Sequence, residues 1–234
     1  LSTIAIALTG AVNYANAAYQ VNGSVKNSGD SIAISGNPKG QANATGIGER
    51  TDTGNIAIGT DSAAQGGTSV AIGYESKTRG NGGTAVGQGA KAGVSKDDGS
   101  ASSAFGYYAN AAASGSTALG FRTVASTQQA TAVGYQAAAS GQGATALGSN
   151  AIASNQSTIA ISAGPNTTTA SGVGSIAIGT NVTSNGTGNI ATGAGANATG
   201  NGAIATGSAS VANGNNALAV GTNTNATGAK AIAI

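Results

Sequence analysis

The sequence predicts an all-β fold, a parallel β-solenoid built from 14-residue coils. Three observations point there: a short phrase that returns at a fixed step, a side-chain alternation of period two inside that phrase, and glycine or asparagine where each coil must turn.

The phrase is apolar-Ala-apolar-Gly. It runs as IAIG ending at Gly59, VAIG at Gly73, TAVG at Gly87, SAFG at Gly106, TALG at Gly120, TAVG at Gly134 and TALG at Gly148. It continues as IAIS at Ser162, IAIG at Gly179, IATG at Gly193 and Gly207, LAVG at Gly221 and a final IAI at Ile234. Most steps are 14 residues; the exceptions are 19 between Gly87 and Gly106 and 17 between Ser162 and Gly179. Upstream, IAIA ending at Ala7 and IAIS ending at Ser35 stand two periods apart, so the chain reads as one domain over 1–234, with irregular coils over 8–54 and loop insertions near 94–100 and 164–168.

Counting from the closing glycine as position 0, positions 11 and 13 are Ile, Val, Leu, Thr, Ser or Phe, with Ala between them at 57, 71, 85 and onward. In a strand, 11 and 13 share one face and the Ala takes the other. A second alternation of small residues follows at positions 3 and 5, as in Ala137 and Ala139 or Ala151 and Ala153. Position 7 is often Gly or Asn (Gly66, Gly80, Gly141, Asn155), which suits a left-handed backbone at a turn. Each coil is thus strand, turn, strand, turn, and it closes only by pairing with the next. About fifteen coils at roughly 4.8 Å per rung make a rod roughly 70 Å long. The column of Ile, Val and Leu is expected to fill the interior, and the Ala column to face outward against another copy of the chain, because a parallel sheet apolar on both faces is usually covered on both. Periodicity leaves the number of copies open.

Composition agrees with a fold held by backbone ladders. The 234 residues include 40 Gly, only 7% are charged, and Trp, Met, Cys and His are absent. All seven acidic residues precede residue 99, and from Gly99 to Ile234 the only charges are Arg122 and Lys230. No basic cluster or Arg-rich stripe is visible along the chain, which argues against nucleic acid as a partner. No run of 18 apolar residues exists, so nothing here is read as a helix inside a membrane.

The octet Ser69-Val70-Ala71-Ile72-Gly73-Tyr74-Glu75-Ser76, with SIAIG at 175–179 and NIAIG at 55–59, resembles the SVAIGxxS head repeat of YadA-like trimeric autotransporter adhesins. The resemblance covers nearly the whole chain. It implies a left-handed parallel β-roll in a side-by-side homotrimer, displayed at the bacterial cell surface beyond the outer membrane, and a role in attachment, virulence and autoagglutination. The partners it implies are host matrix proteins such as collagen, cell surfaces or abiotic surfaces. Neck, stalk and anchoring barrel patterns, which such proteins also carry, are not seen in this stretch, so the chain is read as a head alone.

Enzymatic chemistry is not expected. Without His or Cys, Ser-His, Cys-His and His-ligated zinc centres cannot form. Asp97 and Asp98 are the only adjacent carboxylates, and in Lys96-Asp97-Asp98-Gly99 they read as a solvated turn. No catalytic, cofactor or metal site is assigned.

Three features are candidate ligand contacts. The first is the pair of insertions, with Lys96, Asp97 and Asp98 in the longer one and Gly164-Pro165-Asn166 in the other; in solenoids such insertions emerge as loops, often on a binding face. The second is the aromatic position 1, occupied by Tyr74, Tyr107, Phe121 and Tyr135 with Tyr108 beside it, as a ligand platform or as a brace between coils. The third is the SVAIG phrase, which the resemblance links to collagen and which points to Ser69, Val70, Ala71, Ile72, Gly73 and Ser76. An ice- or crystal-binding solenoid is the alternative, motivated by Thr84, Thr117, Thr131 and Thr145 in one column; their exchange with Ile and Val in sister repeats argues that this column faces inward.

Overall fold

In the computed structural model, every element among the described residues is a short strand, and these strands form two parallel sheets of 15 and 14 members that alternate along the chain. The structure describes residues 19–21, 24–26, 31–35, 43–45, 54–93 and 101–234. Strands of the first sheet follow the phrase, as in Ile56–Ile58, Val70–Ile72 and Thr131–Val133. Those of the second sheet are mostly two residues long, as in Ala63–Ala64, Lys77–Thr78 and Ala138–Ala139. Between Ile56 and Ala226 the described residues supply twelve successive pairs of strands, one from each sheet. Strands are only two to four residues long, because tight turns take up the remainder of each coil.

Register is one coil per step throughout. Ala57 pairs with Ala71, Ala71 with Ala85, and Ala118 with Ala132 and then Ala146. Each coil therefore stands on the identical positions of its neighbour, and its backbone groups pair upward and downward.

The alternation is real, but its faces are reversed from expectation. Ala57, Ala71, Ala85, Ala104, Ala118, Ala132 and Ala146 are all completely buried, whereas Ile56, Ile58, Val70, Ile72, Thr131 and Val133 on the same strands are only half-buried. The interior belongs to the alanines, together with positions 3, 5 and 10, and the β-branched columns stand on the outer face. The cause is space. Two strands joined by tight turns lie so close that the largest fully buried side chain among the described residues is Val182, followed by Asn55, Asn189 and several Thr. An Ile column would hold the two sheets apart. Thr84, Thr117, Thr131 and Thr145 accordingly lie on the outer face, not inward.

Turn chemistry supplies the remaining order. Position 0 glycines take φ between 97° and 136°, a backbone that side-chain-bearing residues rarely adopt. The Ser or Thr hydroxyl at position 3 donates back to the position 0 carbonyl, as Ser62 to Gly59 (2.7 Å), Ser76 to Gly73 (2.9 Å) and Ser210 to Gly207 (2.9 Å). Position 10 does the same for the other turn, where Ser116 donates to the Ala113 carbonyl (2.6 Å) and Thr158 to that of Asn155 (2.7 Å). Ser162 is informative because it stands where the glycine should be. It lacks the large positive φ, and three extra residues are used before the ladder resumes, with Ala151 paired to Thr168 and Ile159 to Ile176. Its hydroxyl donates to the carbonyls of Gly164 (3.0 Å) and Asn166 (3.2 Å), and Asn150 Nδ2 donates to that of Pro165 (2.7 Å).

Candidate functional site

Of the SVAIG group, Ser69, Ala71 and Ser76 are completely buried. Ser69 serves the fold: its backbone N–H donates to Asn55 Oδ1 (2.8 Å), and its hydroxyl oxygen accepts from the Gly66 N–H (3.2 Å). Val70, Ile72 and Gly73 are partly exposed. The phrase therefore offers a ligand its two β-branched side chains and little else. Its serines close the turns from within.

The aromatic column is assembled as the period required. Tyr107 stacks on Phe121 (centroids 5.1 Å apart, planes 9° apart) and Phe121 on Tyr135 (5.2 Å, 5°). Tyr108 meets Tyr107 edge-on at 4.6 Å, and the Arg122 guanidinium lies 5.3 Å from the Phe121 centroid. These rings are exposed, as are Phe105 and Leu119 beside them, so coils 105–135 carry a continuous apolar edge. Inner ring faces cover each other, which braces the coils, while ring edges face solvent. Tyr74 lies outside this stack on an earlier coil, and Tyr108 leans back over Gly89, where an added Cβ would meet its ring at 2.8 Å.

Tyr74 has a local electrostatic partner. Its pKa is raised above the ordinary 10.0, first by the side-chain hydrogen bond with Glu75, next by the Glu75 charge, then by smaller effects of desolvation and of Asp61 and Tyr108. A phenol with a raised folded-state pKa favours the fold below about pH 10 and loses that contribution as pH climbs through the folded value. Glu75→Gln should therefore lower the Tyr74 titration toward the ordinary value, read by NMR of 13C-labelled tyrosine; an unmoved titration would contradict the pairing.

Lys96, Asp97 and Asp98 lie outside the described residues. The ladder is regained across that insertion, with Lys91 paired to Asn110 and Thr84 to Ser103. The second insertion, expected near 164–168, forms the widened turn at Ser162 and ends before Thr168, which is already in a strand.

One grouping was missed in the sequence. Lys77 and Lys91 are direct register partners on the outer face of the second sheet, and Arg79, two residues beyond Lys77, shares that face. The reading that no basic cluster exists is thus overturned by the register: 14 residues in sequence become one rung in space. Among the described residues no group of three or more His, Cys, Asp or Glu could hold a metal ion.

A family model for the YadA head domain repeat matches residues 56–76, 64–90, 98–123, 113–137, 125–151, 139–161, 166–181 and 212–234, more than half of the chain. The chain belongs to the YadA head family. No curated protein sequence matches it. As a YadA head it is an adhesin-type domain, and the family suggests display at the cell surface. The two serines of the YadA head phrase now have a physical role, since each caps one of the two turns of a coil. No helix of the described residues is long and apolar enough to cross a membrane.

Proposed function

We propose that this chain, over 1–234, is the head of a bacterial surface adhesin that works as a homotrimer of left-handed rolls. It attaches the cell to a host matrix protein such as collagen, to other cells or to abiotic surfaces, and it does no catalysis. The rest of such a protein would anchor it at the outer membrane.

The observation that carries this reading is the outer face of the first sheet. From Ile56 to Ile232 its columns hold Ile, Val, Leu, Thr, Phe and Ser and no charged residue, over every coil. Water-facing parallel sheets of this composition are normally covered. Three copies turned toward a common axis would cover the face and leave the second sheet, whose outer column mixes Lys, Asn and Thr with Ala, Val and Ile, in solvent. Contacts then repeat threefold around the head, and avidity supplies what single weak contacts lack. The exposed rings of Tyr107, Tyr108, Phe121 and Tyr135 and the insertion holding Lys96, Asp97 and Asp98 are the proposed ligand contacts, with Val70 and Ile72 near the axis instead.

A second reading, an ice- or crystal-binding solenoid, is favoured by the outward Thr117, Thr131 and Thr145, which stand in consecutive register. Both readings use the same face, so one set of measurements separates them. Sedimentation should give a trimer, and Ile161→Lys should shift it to monomer without loss of β-structure, because a lysine at the axis is desolvated beside two others. Adherence to collagen-coated or bare surfaces should fall with it. A monomer that shows thermal hysteresis would establish the second reading and overturn the first.

A further inference from the structure

The aromatic column stops at Tyr135. Position 1 of the next coil is Ser149, and that of the coil after it is Ala163, where the widened turn begins. One face of the Tyr135 ring therefore has no other ring upon it among the described residues. Exposure agrees. Phe121, stacked on both faces, is 38% exposed and Tyr107, met by Phe121 and Tyr108, is 39%, whereas Tyr135 is 51%.

At the column's own repeat, centroids 5.1 and 5.2 Å apart, one further flat group would lie over Ser149. The widened turn closes the far side. Asn150 Nδ2 donates to the Pro165 carbonyl (2.7 Å), and Gly164 packs on Thr180 of the following coil, where an added Cβ would meet Oγ1 at 3.0 Å. Pinned on both sides, this turn stands two rungs from Tyr135, roughly 10 Å. With contact distances of about 3.5–4.0 Å at each wall, the slot admits one ring and not two.

Its walls differ in character. Tyr135 offers an open π-face, while the remainder is polar and neutral: Ser149 accepts from Asn150 Nδ2 (3.3 Å), which leaves its own proton to donate, and Gln136 and Asn166 are exposed on the flanking turns. Between Arg122 and Lys230 the sequence has no charged residue. A ligand seated here needs a flat apolar face, hydroxyls and no charge.

We propose that the slot over Ser149 binds a neutral hexopyranose, with a C–H-rich face of the sugar on the open face of Tyr135 and its hydroxyls on Ser149, Gln136 and Asn166. A galactose-type sugar, apolar on one face and carrying an axial hydroxyl on the other, matches one aromatic wall and one polar wall. A proline-rich peptide needs rings set side by side as ridges. Here the rings cover one another and leave a single face. This deepens the adhesin reading by giving one of its ring contacts a ligand class. Binding of a small sugar requires neither trimer nor attachment, so the two readings fail separately.

The experiment is saturation-transfer NMR of the whole chain with methyl β-galactoside, and with a collagen-like triple-helical peptide as the rival. Saturating the aromatic protons should mark the ring protons of the sugar. Tyr135→Ser should weaken binding at least about fivefold, on the scale of lost ring stacking. Ser149→Tyr should abolish it by continuing the column into the slot, with the melting temperature unchanged or higher, which separates a filled site from a lost fold. Tyr107→Ser, at the other end of the column, should leave binding unchanged. No transfer to the galactoside, or binding retained in Ser149→Tyr, would overturn the slot. Transfer to the peptide in place of the sugar would overturn the sugar assignment.

Discussion

Gly134→Ala should destabilise the fold by about 3 kcal/mol or more, while Gly143→Ala, nine residues on, should cost only about 1 kcal/mol. Both glycines have positive φ, so a count of left-handed glycines would not separate them. Gly134 sits at φ 128°, outside the region that any side-chain-bearing residue enters easily, and an added Cβ would stand 2.6 Å from the Gly148 carbonyl oxygen and 2.7 Å from its carbon. Those atoms belong to the next coil's backbone, in the same ladder, and cannot move without opening the rung. Gly143 has φ 64° and nothing within 4 Å of its added Cβ. The chain supplies its own control: at the equivalent position of other coils Thr68, Ala101, Gln129 and Ser157 adopt φ between 52° and 58°. Urea unfolding followed by circular dichroism measures both. Because a solenoid is stabilised by nearest-neighbour interfaces, Gly134→Ala should also uncouple the coils on either side and split the transition in two. Equal shifts for the two substitutions would contradict the close approach of rungs at position 0.

Much of this fold was legible in the sequence, and the reason lies in repetition. The register of Ala118 on Ala132 on Ala146 follows from the 14-residue step alone, because a coil can pair fully with its neighbour only in phase. The aromatic stack of Tyr107, Phe121 and Tyr135 was readable for the same reason. What could not be read was the direction of the pleat. Alternation of period two says that Thr131 and Val133 share a face opposite Ala132, and it is silent about which face is inside. The rule that large apolar residues go inward decides the matter in wide cores and fails here, where two turns set the sheet separation. Lys77 and Lys91 are 14 residues apart, so they form no cluster along the chain; the period of the repeat puts them side by side.

The reversed faces make the sharpest test. Ala132→Leu should destabilise by about 3 kcal/mol, whereas Thr131→Val, one residue away on the same strand, should stay within about 0.5 kcal/mol. Ala132 is completely buried between Ala118 and Ala146, facing the positions 3, 5 and 10 of its own coil across an interior whose largest fully buried side chain is Val182. A leucine there exceeds anything the interior holds, and the ladder above and below prevents the sheets from parting locally. Thr131 stands on the outer face, where Val70 already occupies the equivalent place in a sister coil, so the β-branched shape is kept and one exposed hydroxyl is lost. Had the alanines faced outward, the order would invert: the leucine would lie on an open or subunit-covered surface, and the valine would replace a buried hydroxyl. Melting curves of the two variants, with sedimentation to keep the assembly state constant, read the sign directly. A benign Ala132→Leu would mean that the interior is wider than two strands joined by tight turns allow, and with that the physical account of why alanine recurs at this position from Ala33 onward would fail.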